Sequence, residues 1–284
     1  MKKEFGKEEK RMRKYLTAGG VVFAGVAFFL VATVRGAPAP GALKGEIGRA
    51  VEQALKEGRD TFPVSDFDGF LKKVVTKSGG VDYRVAAAHR AELENFLSRV
   101  RRAPLARLEK NELKALFINA YNAYTIQSIL DHPGVTSIRK IPGVWKRRRH
   151  IVGGFKLTLD EMEHGILRPY FKDARIHFAI NCASRSCAPL APFAYRGRNL
   201  DRSLDERTRF SLARPAFLQI RDGRIYVTSY FKWFGEDFGD ARAFLIRYAP
   251  RKTALWIRKH PDAPIRFLDY DWSLNGPSPE KRER

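Results

Sequence analysis

The sequence predicts an α+β fold, a single mixed domain of helices and β-hairpins behind an N-terminal transmembrane helix. Three observations carry this. An uncharged apolar run stands near the start of the chain. Helical periodicity dominates up to about residue 131, and two short β-runs broken by glycine turns then alternate with further helices. Helices first and hairpins mixed with helices afterwards point to α+β rather than to an alternating α/β sheet.

Residues 1–15 hold seven basic and three acidic side chains, and residues 16–34 hold no charge at all. Nineteen helical residues rise about 28 Å, close to the thickness of the hydrocarbon core. Ten of the nineteen are Leu, Val or Phe, which favour the bilayer interior. The basic cluster keeps the N-terminus inside, so the expectation is a single-pass membrane protein with its soluble domain on the far side. Ala37-Pro38-Ala39 imitates a small-x-small cleavage site, but Pro40 follows it and Arg35 precedes it. The segment therefore reads as a signal-anchor, with a cleaved signal peptide as the alternative. Residues 35–44 form a linker stiffened by alternating Ala and Pro, residues 45–276 the soluble domain, and 277–284 a charged tail.

The 284 residues carry a net charge of +22, and 12% of them are aromatic. That excludes wholesale disorder. It favours an anionic partner, an envelope polymer or a protein, with no specific nucleic acid expected. A charge this widely spread also serves solubility alone. The two cysteines are too few for a disulfide-rich scaffold, and no Cys/His spacing suits a structural zinc. Neither metal nor cofactor is expected, and the soluble domain is expected to be monomeric.

Within the domain, the spacing predicts helices over 45–56, 62–75 and 86–100. The strongest, 112–131, is capped by Asn111 and stopped by Pro133-Gly134. Residues 150–157 read as a hairpin around Gly153-Gly154. Thr158 and Glu161 make a capping box for a helix over 159–167 that Pro169 ends. Residues 175–180 read as a short buried strand. A helix over 204–212, a second hairpin across Asp222-Gly223 and helices over 241–248 and 253–259 complete the pattern.

Four stretches carry chemistry. Asn119 and Asn122, three apart on an apolar helix, need polar partners, which core loops or a ligand would supply. Glu163 and His164 are adjacent on a helix, without the second His that a zinc motif requires. His177, Asn181 and Cys182 precede a loop of small residues, Ala183 to Ala188, that includes Ser184, Arg185, Ser186 and Cys187. There Cys182 is a nucleophile with His164 or His177 as its base and Asn119 or Asn181 orienting it, or Cys182 and Cys187 form a disulfide, or both thiols are inert. The fourth stretch, aromatic with interleaved charge, holds Lys232, Trp233 and Asp237 as binding candidates. Arg147, Arg148 and Arg149 form a basic run that suits an anion.

Together these stretches resemble the domain-of-unknown-function family 547. Its members carry a helix like 117–126, an acidic-His helix like Glu163-His164 followed by Leu-Arg, and a His-Phe-Ala segment leading to Asn181-Cys182-Ala183-Ser184 and Ser186-Cys187. They close on an Asp-Phe pair such as Asp237-Phe238. The resemblance spans about 65–240, with one departure: Ala188 stands where the family has Pro. It implies a bacterial envelope setting and places the site, but it implies no reaction. Two functions suit an anchored envelope protein of this kind. One is a thiol-dependent hydrolase or transferase, and the other a non-catalytic binding module with a structural disulfide and a basic surface.

Overall fold

A helix with no polar face has to sit inside a core, and residues 113–126 leave no face polar. The computed structural model describes residues 41–277. Four helices come first, α1 (Gly45–Glu57), α2 (Ser65–Val74), α3 (Tyr83–Ala88) and α4 (Arg90–Arg101). Of these, α1, α3 and α4 pack on the fifth, α5 (Lys110–Leu130), which is buried along nearly its whole length. The cap of α5 is Glu109, not Asn111. Its carboxylate accepts the N–H groups of Asn111 (2.8 Å) and Glu112 (3.2 Å), and a negative charge suits this end of the helix dipole. The helix expected over 86–100 is interrupted at His89, whose backbone (φ −102°, ψ 20°) leaves the helical region between α3 and α4.

The first hairpin forms as expected, β1 (His150–Val152) against β2 (Phe155–Leu157), with Gly153 (φ 57°) and Gly154 (φ 86°) in the left-handed region its tight turn needs. The capping box also forms: Thr158 N–H donates to Glu161 Oε2 (2.8 Å) and Glu161 N–H to Thr158 Oγ1 (3.1 Å). The box leads into a π-helix, Glu161–Leu167, which continues as α6 (Arg168–Phe171). Pro169 does not end it. The Arg168 N–H reaches back five residues to Glu163 O, and Pro169 lies in the first turn of the next segment, where its missing N–H costs nothing.

The strand expected over 175–180 is instead a 3₁₀ turn, Ala174–Phe178. Asp173 caps it by accepting the Arg175 N–H (3.0 Å). A short apolar run buried on all sides has no periodicity that separates strand from helix, so its composition does not distinguish the two. His177, Ala179 and Asn181 therefore share no strand face.

After α7 (Leu200–Leu212), β3 (Leu218–Arg221) and β4 (Arg224–Val227) form the second hairpin. Next come helices α8 (Tyr230–Trp233), α9 (Gly235–Phe238), α10 (Ala241–Tyr248) and α11 (Arg251–Lys259). A fifth strand, β5 (Ile265–Phe267), which the sequence did not suggest, adds in parallel to β4.

Two hydrophobic cores result, one around α5 and one around β3, β4, α10 and α11. The irregular segment 174–191 runs along their seam, with Ala174, Phe178 and Ala188 in the second core and Ile176, Ala179, Ile180 and Ala183 in the first. Residues 271–275 bind its outer edge: Arg185 N–H donates to Ser273 O (2.8 Å), Asp271 N–H to Ser186 Oγ (2.8 Å) and Asn275 N–H to Ala183 O (3.0 Å). Gly276 lets this strap pass, since a Cβ there would meet Val81 O at 1.8 Å. The mixed α+β class is thus as expected. The apolar segment 16–34 lies outside the described residues, among which no helix is long and apolar enough to cross a membrane.

Candidate functional site

A cavity of about 230 Å³ opens where the π-helix, the seam, α8 and the strap meet, and Glu163, His164, His177, Cys182, Cys187 and Tyr270 all line it. The seam supplies the two thiols. Both are free, so the loop is an open dithiol and not the disulfide that was one expectation. Cys182 Sγ lies 3.2 Å from Ser184 Oγ and 3.3 Å from Tyr270 Oη. A hydrogen bond from Cys187 is the largest influence on Cys182. With help from the two hydroxyls it overcomes burial and holds the Cys182 thiol down at about 6. Burial, together with the charge of Cys182, pushes Cys187 up, so Cys187 keeps the proton. Its sulfur accepts the Cys182 N–H (2.9 Å) and the Tyr230 hydroxyl (3.4 Å).

Glu163 is the second group. Burial, and then the charge of Cys182, push its carboxyl up to about 8, so it is protonated at neutral pH. The cavity therefore pairs a thiolate with a carboxylic acid. Glu163 Oε1 stands 3.8 Å from His177 Nδ1, beyond hydrogen-bond range.

His177 is held from behind. Its Nε2 donates to Asp237 Oδ2 at 2.6 Å, and its ring stacks on Phe234 at 4.0 Å between centroids. Burial keeps the imidazole below its usual range, and Asp237 sets the tautomer that leaves Nδ1 free to accept. Asp237 is itself gripped at both oxygens by Arg168, Nε to Oδ2 (2.6 Å) and Nη2 to Oδ1 (3.0 Å). Burial would raise Asp237, but its hydrogen bonds from His177 and Arg168 bring it down to about 2. Arg168 Nη1 also donates to His164 Nδ1 (2.8 Å), and burial lowers His164 too.

This arrangement corrects several expectations. Neither His164 nor His177 hydrogen-bonds Cys182, so the direct thiol–imidazole pair is absent. Asn119 clamps Tyr195, its Nδ2 donating to Tyr195 O (2.8 Å) and its Oδ1 accepting Tyr195 N–H (2.9 Å). Asn122 does the same to the seam, through Ala179 O (3.0 Å) and Asn181 N–H (2.7 Å). Asn181 closes the thiol loop through Ala183 N–H (2.8 Å) and Ala188 O (2.7 Å). All three amides bond backbone groups, and Asn181 Oδ1 also accepts from Asn275 Nδ2 (3.2 Å).

The binding candidates divide. Trp233 lines the cavity and packs on Tyr270 at 4.7 Å. Ser184 touches the thiolate, whereas Ser186 serves the strap and Arg185 stands 3.7 Å from Asp271. Lys232 and Arg147 are exposed. Arg148 and Arg149 are paired with Asp131, which Arg90 shares, and with Glu161. Sequence reasoning missed Arg168, Phe234 and Tyr270. Arg168 ends the acidic-His stretch already singled out. The run Tyr270-Asp271-Trp272 was the one signal that the strap matters.

Fold and site together define an α+β domain with a buried acid and an activated thiol on one cavity. Residues 105–210 match the family model described as "Protein of unknown function, DUF547". Over these residues the chain is similar to that family, as its motifs suggested. The match takes in Glu163, Arg168, His177 and both cysteines, and is narrower than the expected 65–240. No curated protein and no solved structure matches the chain.

Proposed function

We propose that the domain is a cysteine-dependent acyl hydrolase or transferase acting through Cys182 and Glu163. The observation that carries this is that Cys182 and Glu163 line one cavity, where hydrogen bonds lower the thiol and burial raises the carboxyl. The Cys182 thiolate adds to the substrate's carbonyl carbon. The departing amine or alcohol takes the Glu163 proton, leaving a thioester on Cys182 and a carboxylate on Glu163. Water then gives a proton back to Glu163 while its oxygen attacks the thioester. The carboxylic acid leaves and the thiolate returns. A second nucleophile in place of water makes the reaction a transfer. His177 is a positioning residue, fixed by Asp237 and Arg168, that presents Nδ1 toward Glu163. The aromatic walls, Trp145, Trp233, Phe234 and Trp272 among them, suit an apolar acyl group.

The test is p-nitrophenyl acetate on the reduced protein. A burst of p-nitrophenol equal to the enzyme present, with one acetyl group on the Cys182 peptide, is expected, and Cys182→Ala shows neither. Acetylation spread over lysines with no burst would overturn the reading.

We further propose that the domain works on the periplasmic side of the bacterial inner membrane, held by residues 16–34, where its basic surface meets an anionic envelope polymer or protein. The support is the charge bias of residues 1–15 beside an uncharged run. A C-terminal alkaline phosphatase fusion should be active in intact cells. An inactive fusion whose β-galactosidase counterpart is active would rule this out.

A further inference from the structure

We propose that Cys182 and Cys187 are a redox couple: a hydroperoxide oxidises Cys182, and Cys187 resolves the product into a disulfide that removes the nucleophile. The chemistry balances without a cofactor. The thiolate attacks one peroxide oxygen and the O–O bond breaks. Cys182 becomes a sulfenic acid, and the other oxygen leaves as an alcohol or water after protonation. The Cys187 sulfur then attacks the sulfenic sulfur. The S–S bond forms, and the hydroxide leaves with the Cys187 proton as water. Two thiols lose two electrons and the peroxide gains them. A dithiol reductant reverses the step.

The loop is built for closure. Ala183, a non-glycine residue at φ 60°, turns the chain back directly after Cys182. That reversal brings the Cys187 sulfur to 2.9 Å from the Cys182 nitrogen. The Asn181 side chain then staples the loop at both ends, through Ala183 N–H and Ala188 O. The entropy of bringing the two sulfurs together is therefore already lost in the reduced fold.

Access matches the two roles. Cys182 is half-buried on the cavity wall, where a small hydroperoxide reaches it, and Cys187 is buried. Cys187 also borders a second cavity of about 210 Å³, beside Arg185 and Arg214, which gives a reductant another approach. While Cys182 is a thiolate, its charge helps keep Cys187 protonated. Conversion to a neutral sulfenic acid removes that charge and eases ionisation of Cys187, while the burial that raises it most remains.

Only the loss of acyl transfer on oxidation rests on the proposed activity; bond formation does not. The test treats the reduced full chain with a small excess of hydrogen peroxide and dimedone, then maps peptides and counts thiols. Wild type should lose both thiols as an internal Cys182–Cys187 disulfide, carry no dimedone, and recover both with dithiothreitol. Cys187→Ser should stop at the sulfenic acid and take up one dimedone on Cys182. Dimedone or sulfinic acid on wild-type Cys182 with Cys187 still free overturns the proposal. The acetylation burst, measured on the reduced protein, reports separately on the nucleophile.

Discussion

Glu163→Gln should lower turnover by about 10²–10⁴-fold, the usual worth of a positioned acid–base group, and should also make the protein more stable in mild base. Linkage fixes the sign. The folded Glu163 carboxyl sits up at about 8, above its usual value near 4.5. Its contribution is fully present below about pH 4.5 and is lost as pH rises toward 8, because the unfolded chain releases a proton that the folded one keeps. Glutamine has nearly the same shape and no proton to release. Each pH unit between the folded and unfolded values is worth about 1.4 kcal/mol, so the variant should gain on the order of 4 kcal/mol over wild type at pH 8 and almost nothing at pH 4.5. Buried His150 is held down at about 4 by burial and by Arg148, which costs both proteins stability as pH falls from 6.5 to 4. That effect cancels in the difference. Thermal unfolding of the pair across this range measures it. A difference that does not change with pH would show that Glu163 is not a buried acid.

Asp173→Ala should cost about 3–5 kcal/mol, read as a lower urea midpoint at unchanged slope. Asp173 accepts from Lys114 and, through its two oxygens, from Arg175 Nε (2.9 Å) and Nη2 (2.7 Å). The Lys114 side chain is only 7% exposed. Burial pulls its ammonium below the usual range even with Asp173 present, so the carboxylate is what keeps that charge tolerable. Removing it leaves a buried cation beside a guanidinium. Asp201, also paired with Arg175 but 77% exposed, should cost under about 1 kcal/mol when replaced by Ala. Asp173 is held well below the carboxylate range, so its contribution is present above about pH 4 and lost in stronger acid. Adding Lys114→Met to Asp173→Ala should recover much of the loss, since the orphan charge goes. Equal costs for the two aspartates would place the network on the surface.

Much of the fold was legible locally. Five features set by neighbours in the chain formed as read: the α5 pattern, both glycine turns, the Thr158–Glu161 box and the helix at 241–248. The local failures have definable reasons. Residues 175–180 are buried on every side, so their apolar run held no period. Pro169 stops an α-helix but not a π turn that has already shifted the register. β5 is three residues long and is made a strand by β4, not by its own composition.

For the site, the sequence by itself determined which residue types were available, a thiol pair in a loop of small residues, a Glu-His helix and an Asp-Phe close, and how these motifs mark the family. Their roles were decided by the tertiary structure alone. Burial is a property of the packed molecule, and burial raises Glu163 and makes an acid of it. The partners of His177 and Cys182 are Asp237 and Tyr270, about 60 and 90 residues away along the chain. No local pattern carries such pairings, because they exist only once the two cores close on the seam. The same holds for Asn119, Asn122 and Asn181. Each needed a partner by its sequence context, and only the folded backbone showed that the partner was the protein itself.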